Sequence, residues 1–185
     1  MRVDTVANMG ADLSNFAPFI PTLAAIKVMP GVYDVKSLHV RVRGVFTHTV
    51  PIDAYRGAGR PESIYMIERL MDKAAQDLNI DRIELRRKNF ISPHRMPFTT
   101  TAGEIYDSGE FERVIDTVIE KANWKSFEDR RAEAKTLGRR LGIGLCYYIE
   151  STMGDPGEAA EVRFEEDGTV SLFVGTQSNG QGHET

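Results

Sequence analysis

The amino-acid sequence predicts an α+β fold, with mixed sheets and flanking helices, for this chain of 185 residues. Apolar residues recur at three- and four-residue steps in residues 64–78 and 111–122, which is the pattern of amphipathic helices. They alternate with polar residues in 38–43 and in the hairpin-like region 161–174, as in half-buried strands. A hydrophobic content of 41% and a mean hydropathy of -0.32 are typical of a globular chain with a polar surface.

The predicted fold opens with a β-strand at residues 2–11, which needs a neighbouring strand to pair with. A short helix is expected over 22–28, because Pro21 suits its first turn. A second strand is predicted over 37–49, where apolar and polar residues alternate, with Gly44 as a candidate β-bulge.

The strongest helix signal follows at residues 61–78. Pro61 suits the first helical position, and Glu62 lies where the positive end of the helix dipole favours an acidic side chain. A second helix is predicted over 82–89. Its basic residues are expected to form a solvated, charged face: Arg82, Arg86, Arg87 and Lys88.

The middle of the chain is predicted to be a loop followed by two helices. Residues 92–108 contain prolines and a glycine and are typical of a loop. A helix is expected over 110–124, with Asp107 or Ser108 as its N-terminal cap. Residues 126–136 are polar almost all round, so we expect a solvated connecting helix there.

The last part of the chain is predicted to be rich in β-structure. Residues 140–150 have the pattern of a buried strand, in which Cys146 is expected to be a small buried apolar residue. Two alternating strands at 161–165 and 169–174 flank Glu166-Asp167-Gly168, which is a good hairpin turn.

The change of pattern near residues 126–138 predicts a domain boundary. We expect a first α+β domain over residues 1–130 and the start of a second, β-rich domain over 131–185.

Composition excludes several classes of protein. With 23 basic and 27 acidic residues the formal charge is -4, which gives no support to nucleic acid or an anionic membrane as the main partner. The sequence contains no apolar run of roughly 18 residues and begins without the apolar region of a secretion signal. A single cysteine excludes an internal disulfide framework and a cysteine-rich zinc site. We therefore expect a cytoplasmic protein without a membrane span.

The segment DAYRGAGRPE, residues 53–62, is a candidate binding loop. Its small residues let the backbone pass close to another group, two arginines flank them, and the segment leads into a helix N-terminus that favours an anion. A phosphate or an oxo group is a reasonable guest, but the glycine spacing matches no nucleotide signature. A tight turn with surface arginines and an unrelated phosphate-binding loop around Arg56 are the alternatives.

The segment GTQSNGQGHE, residues 175–184, is a second candidate. Its amide side chains, Asn179 and Gln181, carry both donors and acceptors and could read the edge of a heterocycle. Glycines 180 and 182 would let peptide groups approach a flat ring. The alternative is an ordinary polar loop after a strand.

Together these segments resemble the molybdenum hydroxylases, namely the molybdopterin-binding large subunit of xanthine dehydrogenase, aldehyde oxidase and carbon monoxide dehydrogenase relatives. The resemblance covers most of residues 2–185, in order, and AYRGAGRPE and GQGHET are its most specific parts. It implies partial molybdopterin-binding domains and a molybdenum–molybdopterin cofactor in the complete parent. Its implied cofactor-binding residues are Tyr55, Arg56, Gly57, Gly180, Gln181 and Gly182, with the Arg56 backbone near the metal's oxo ligand.

The resemblance also implies a substrate pocket that includes Ala58, Tyr147 and Tyr148. Successive strand residues point to opposite faces, so at most one of the two tyrosines faces a given pocket. Ala58 stands where xanthine-oxidising relatives carry an aromatic residue, which argues against a purine substrate. Gly57 stands where carbon monoxide-oxidising relatives carry cysteine, which argues against carbon monoxide.

The activity implied for the parent is hydroxylation of an aldehyde or an N-heterocycle, a small-molecule substrate, with water as the oxygen source. A glutamate is the base, and electrons leave through iron–sulfur and FAD subunits or domains. That glutamate has no match in this chain, so we expect an internal portion of the subunit with no catalytic residue of its own. A non-catalytic scaffold or decayed fragment of the same fold is the alternative. The central expectation is that the bends around Arg56 and Gln181 close on one metal–pterin group.

Overall fold

The computed structural model describes residues 1–151, 157–176 and 182, which belong to two compact units, Met1–Glu150 and Ser151–Thr185. Helices and three small two-stranded sheets occur in these residues, which confirms the predicted α+β class. The domain division expected between residues 130 and 131 stays a prediction.

The first sheet of the N-terminal unit pairs two strands in parallel. Strand β1 (Arg2–Gly10) lies beside β2 (His39–Phe46), and the connection between them carries a π-helical turn (Ile20–Ala24) and α1 (Ala25–Val28). Two parallel strands need such a crossover, which is why the short helix lies between them.

The predicted bulge at Gly44 is wrong. Gly44 pairs with Ala7 in regular register, and the irregularity lies in β1 between Asn8 and Gly10. The Met9 side chain covers the Gly44 backbone, since a Cβ added there would lie 3.2 Å from its Cγ. Gly44 therefore provides room for a neighbouring side chain.

Four longer helices follow: α2 (Arg60–Leu78), α3 (Arg82–Asn89), α4 (Phe111–Lys121) and α5 (Phe127–Thr136). Short 3-10 turns occupy Pro93–Arg95 and Trp124–Ser126. The predicted loop at 92–108 also contains an antiparallel pair, β3 (Phe98–Thr99) and β4 (Ile105–Tyr106).

The caps of α3 and α4 differ. The Asp81 carboxylate accepts hydrogen bonds from the Ile83 and Glu84 amides at 2.8 and 3.1 Å, which satisfies two free N–H groups of α3. The predicted caps of α4 are wrong, because Glu110 precedes the helix and makes no capping bond. The Ser108 hydroxyl donates to the Asp107 carboxylate instead.

The core of this unit lies between α2, α3 and α4. Its buried residues are Val32, Tyr33, Ile67, Met71, Ala75, Leu85, Ile91, Tyr106 and Phe111. The buried stripe of α2 recurs at helical spacing, as the sequence pattern predicts.

A charged residue is buried beside this core. The Arg86 side chain is fully buried, so the expectation of a solvated basic face on α3 is wrong for this residue. Its Nη2 donates to Glu68 Oε2 at 2.8 Å and its Nη1 donates to Asp72 Oδ1 at 3.0 Å. The Tyr33 hydroxyl donates to the other Glu68 oxygen. Burial opposes the charged form of Arg86, but Glu68, Tyr33 and Asp72 outweigh that effect and raise its pKa.

Residues 140–150 do not form the predicted buried strand. They pair with no strand among the residues that the structure describes, and Cys146 is exposed rather than buried. Exposure still alternates along the segment, with Tyr147 and Ile149 on the inward side. The Tyr147 amide donates to Glu68 Oε2 at 2.9 Å, so a buried carboxylate accepts the hydrogen bond that a neighbouring strand would otherwise accept.

The predicted hairpin of the second unit is confirmed. Strands β5 (Ala160–Phe164) and β6 (Val170–Val174) pair antiparallel. The turn is closed by a 3.1 Å bond from the Gly168 amide to the Glu165 carbonyl, and Gly168 has a φ of +85°. A left-handed φ at this position is the reason for glycine.

In the described parts of the chain, no helix combines the length and apolar character needed to cross a bilayer. The same residues contain no cluster of three or more His, Cys, Asp or Glu side chains arranged to hold a metal ion.

A close backbone approach fixes the start of α2. Gly59 has a φ of +86°, and a Cβ added there would lie 2.0 Å from the Ile20 carbonyl oxygen. Four residues later, the fully buried Ser63 donates from its hydroxyl to the Ala25 carbonyl at 2.7 Å. The start of α2 therefore packs directly against the π-helical turn and α1.

We predict that Arg86→Met lowers the free energy of unfolding by about 3–5 kcal/mol, because it leaves Glu68 buried without its cation. Arg82→Met on the same helix is the control, since Arg82 is 40% exposed and lies 3.8 Å from Asp72. We expect Arg82→Met to lower the free energy of unfolding by about 1 kcal/mol or less. Urea denaturation measures both values, and equal losses would contradict the role given to Arg86.

We predict that Gly59→Ala destabilises the protein more than Gly103→Ala. Both glycines have left-handed φ values, +86° and +89°, but an added Cβ at Gly103 meets nothing within 4 Å. Gly103→Ala therefore measures the cost of backbone conformation alone, about 1–2 kcal/mol. Thermal unfolding of the two variants makes the comparison, and similar losses would show that the Gly59 contact is unimportant.

We predict that stability falls as pH rises from about 10 to 12, partly through Tyr106. Burial and then the Glu104 charge raise the pKa of Tyr106 to about 12, against about 10 in an unfolded chain. Its contribution is complete below pH 10 and is lost as pH rises through 12, with a slope of up to about 1.4 kcal/mol per pH unit. Urea denaturation at each pH should show a shallower decline for Tyr106→Phe. An unchanged decline would contradict this assignment.

Candidate functional site

The candidate binding loop bends sharply before α2. Gly57, Ala58 and Gly59 have consecutive positive φ values of 96°, 25° and 86°. The Ala58 amide donates to the Tyr55 carbonyl at 2.7 Å, and the Arg60 amide donates to the Gly57 carbonyl at 3.1 Å. Ala58 carries a Cβ in a region that side chains disfavour, which is the kind of local strain that surrounding contacts must hold.

The outer part of this loop faces solvent. Tyr55 is 85% exposed, and Arg56 is exposed beside it. Within residues 1–151, the amide N–H groups of Arg56 and Gly57 meet no hydrogen-bond acceptor. Two adjacent backbone donors are therefore available to an oxygen atom of a bound group, next to the positive end of α2.

An ion pair joins the loop to the segment that carries the two tyrosines. Arg60 Nε lies against Glu150 Oε1, and only 14% of the Arg60 side chain is exposed. Arg60 is the first residue of α2, directly after the bend, and Glu150 lies two residues after Tyr148. Two parts of the chain that are distant in sequence are thereby neighbours.

The two tyrosines have different surroundings. The Tyr147 ring makes edge contacts with Phe90 and Phe111, at centroid distances of 5.3 and 6.1 Å, and its hydroxyl donates to the Phe111 carbonyl at 3.0 Å. Burial raises the pKa of Tyr147 to about 12. Tyr148 is 57% exposed. Tyr147 therefore faces the interior and Tyr148 faces the surface, as alternation along an extended segment predicts.

The structure places the predicted site residues as follows. Tyr55, Arg56, Gly57 and Ala58 share one loop, and the Arg60–Glu150 pair links that loop to the segment of Tyr147 and Tyr148. Gly180 and Gln181 lie outside the described residues. Gly182 belongs to the second unit, with a φ of +76°. The predicted closure of the two bends on one group stays a prediction.

Sequence reasoning missed the residues that hold the loop. Gly59 and Ser63 hold the base of the loop through their contacts with the Ile20 and Ala25 carbonyls, and Glu150 binds Arg60. Ser63 offers a weak signal, because it is a small polar residue among the apolar positions of an amphipathic helix. Nothing local to Glu150 in the sequence indicates its distant partner.

The exposed loop fits one part of a molybdopterin cofactor. Such a group offers phosphate and oxo oxygens, which accept hydrogen bonds from backbone amides at a helix N-terminus. The Arg56 and Gly57 amides supply donors of this kind, and the Arg56 side chain adds a positive charge beside them.

Comparison with known families gives two matches along this chain. Residues 1–90 and residues 117–185 each match a family described as a molybdopterin cofactor-binding domain. Together these matches cover most of the chain. They confirm molybdenum–molybdopterin as the cofactor predicted for the parent protein.

Individual relatives agree with these matches. The carbon monoxide dehydrogenase large chain of Hydrogenophaga pseudoflava is 32% identical over all of this chain and 25% of its own length. The nicotine 6-hydroxylase large subunit of Paenarthrobacter nicotinovorans is 31% identical over 84% of this chain and 20% of its own length. The crystal structure of quinoline 2-oxidoreductase from Pseudomonas putida 86 superimposes with a TM-score of 0.82 and 30% identity, over 97% of this chain and 25% of that one.

The chain thus spans about a fifth to a quarter of the length of these relatives. Both family matches, the relatives and the superimposed fold agree with the resemblance inferred from AYRGAGRPE and GQGHET. The chain belongs to the molybdopterin-binding large-subunit family of the molybdenum hydroxylases.

Proposed function

We propose that this chain supplies part of the surface that holds the molybdopterin cofactor in the large subunit of a molybdenum hydroxylase. The observation that carries the proposal is the bend at residues 55–58, where the amides of Arg56 and Gly57 meet no acceptor among the described residues, beside the start of α2. Tyr55, Arg56 and Gly57 contact the cofactor from this side. Gly180, Gln181 and Gly182 are the proposed contacts from the other side.

Each part of the bend has a separate task in this proposal. The Arg56 and Gly57 amides donate hydrogen bonds to oxygen atoms of the cofactor, and Ala58 leaves space beside them. Gly59 and Ser63 hold the base of the bend, so the donors do not have to be ordered when the cofactor binds. Donors that are positioned in advance stabilise developing charge without reorganisation.

The proposed reaction of the parent is oxidative hydroxylation of an aldehyde or an N-heterocycle, with water as the oxygen source. When bound, the cofactor supplies the two-electron oxidation that this reaction needs. Residues of this chain bind the cofactor and line the substrate pocket through Ala58 and at most one of the two tyrosines, Tyr147 and Tyr148. The general base is proposed to lie outside this chain.

Two relatives are named after compounds that contain an aromatic N-heterocycle, which favours N-heterocycles as the substrate class. The nicotine 6-hydroxylase large subunit and the quinoline 2-oxidoreductase are both about 30% identical to this chain. Gly57 stands where the family resemblance places cysteine in carbon monoxide-oxidising relatives, so carbon monoxide is not proposed.

The proposed partners are iron–sulfur and FAD subunits or domains, which accept the electrons. Several relatives are named as subunits or chains of larger assemblies, including subunit gamma of the 6-hydroxypseudooxynicotine dehydrogenase complex. We propose a cytoplasmic location for the parent enzyme, and no nucleic acid as a partner.

We predict that Arg56→Pro lowers molybdenum and pterin occupancy of the purified parent protein, whereas Arg56→Ala retains more of it. Proline removes the amide donor and alanine keeps it. Loss of one hydrogen bond to a charged group corresponds to roughly tenfold weaker binding. Metal content by mass spectrometry and pterin content by fluorescence measure the occupancy.

Thermal unfolding of the apoprotein controls for loss of the fold in both variants. Equal occupancy in Arg56→Pro and Arg56→Ala would contradict the role of the backbone amide. A parent protein without molybdenum, purified from cells that make the cofactor, would contradict the proposed function and favour a non-catalytic scaffold.

A further inference from the structure

The segment around Tyr148 is anchored on both sides. Immediately before it, the Tyr147 amide donates to the buried Glu68 carboxylate at 2.9 Å and the Tyr147 hydroxyl donates to the Phe111 carbonyl at 3.0 Å. Two residues after it, Glu150 is paired with Arg60. The backbone that carries Tyr148 is therefore held by buried groups on one side and by the base of the binding loop on the other.

Alternation along this segment determines which side chains share a face. Exposure changes at every residue from Ile143 to Glu150, so Tyr148 lies on the same face as Glu150, at a spacing of about 7 Å. Because Glu150 contacts Arg60, this face is turned toward the start of α2, directly after the bend at residues 55–58. Tyr147 is on the opposite face, where it packs against Phe90 and Phe111.

The Tyr148 ring has surface available for a ligand. More than half of the residue is exposed, and its ring takes part in none of the aromatic contacts among the described residues, unlike Tyr147. On the loop, Ala58 presents only a methyl group. The loop therefore adds no bulky side chain at this position, and an aromatic ring is available on the segment that Glu150 joins to Arg60.

We propose that Tyr148 is the specificity-determining residue on which a planar aromatic heterocycle stacks, and that the Arg60–Glu150 ion pair is the positioning contact that holds it beside the bend. This proposal rests on the proposed function and narrows its substrate class from aldehydes or N-heterocycles to planar heterocycles. Stacking favours flat rings with a π-face over saturated molecules of the same size. Tyr147 is thereby assigned to the core and not to the substrate.

The test measures binding to the purified parent holoenzyme by calorimetry. The probes are quinolin-2-one, which is planar and neutral, and its fully saturated lactam analogue, which has the same skeleton without a π-face. The variants are Tyr148→Ala, Tyr148→Phe and Glu150→Gln. Tyr65→Ala is the matched control, because Tyr65 is 68% exposed on α2 and has no part in the proposed site.

We expect Tyr148→Ala to weaken quinolin-2-one binding about tenfold, as is typical of a lost aromatic stack, and to change binding of the saturated lactam by less than about twofold. Tyr148→Phe keeps the ring and should bind both probes like the wild type. Glu150→Gln should also weaken the binding of quinolin-2-one more than that of the saturated lactam, but by a smaller factor than Tyr148→Ala. Tyr65→Ala should change neither affinity.

Molybdenum content of each preparation separates the two proposals. Wild-type affinity for quinolin-2-one in Tyr148→Ala, with full molybdenum, would overturn the stacking proposal and leave the proposed function intact. An equal loss for both probes would also overturn it, because it would indicate a general disturbance of the pocket. A wild-type parent without molybdenum would overturn the proposed function and the stacking proposal with it.

Discussion

The buried Arg86 guanidinium is the constraint on which the N-terminal unit depends. It binds the Glu68 and Asp72 carboxylates of α2, and Glu68 also accepts hydrogen bonds from the Tyr33 hydroxyl and the Tyr147 amide. A buried charge is tolerated only when it is paired and hydrogen-bonded, so these parts of the chain are held in one arrangement. The segment that carries Tyr148 is therefore positioned by a charge network that lies inside the fold.

The binding loop follows from a second constraint, which is the close backbone approach at Gly59. Only a glycine fits beside the Ile20 carbonyl, and Ser63 continues this contact into the first turn of α2. The base of the loop is thus packed while its tip, with Tyr55 and Arg56, stays exposed. A fixed base with free amide donors at the tip is an arrangement suited to binding an oxygen-rich group.

The sequence predicts those features that depend on local patterns. The sequence predicts α3 with its observed bounds, 82–89, and turn chemistry predicts the hairpin of β5 and β6. It misses the burial of Arg86, because that depends on carboxylates that a neighbouring helix presents 18 and 14 residues away. The pattern of a buried strand predicts a strand at 140–150, but a strand also needs a partner. The motif residues of the loop could be found by resemblance, whereas the pairing of Arg60 with Glu150 could not.

In the function proposed above, Arg56 and Gln181 contact one and the same molybdopterin. The most direct measurement is a crystal structure of the parent holoenzyme, with the metal located by its anomalous scattering. We expect a single molybdenum site, with the Arg56 amide and Gln181 both in contact with the same cofactor. A cofactor bound elsewhere, with either bend facing solvent, would contradict it.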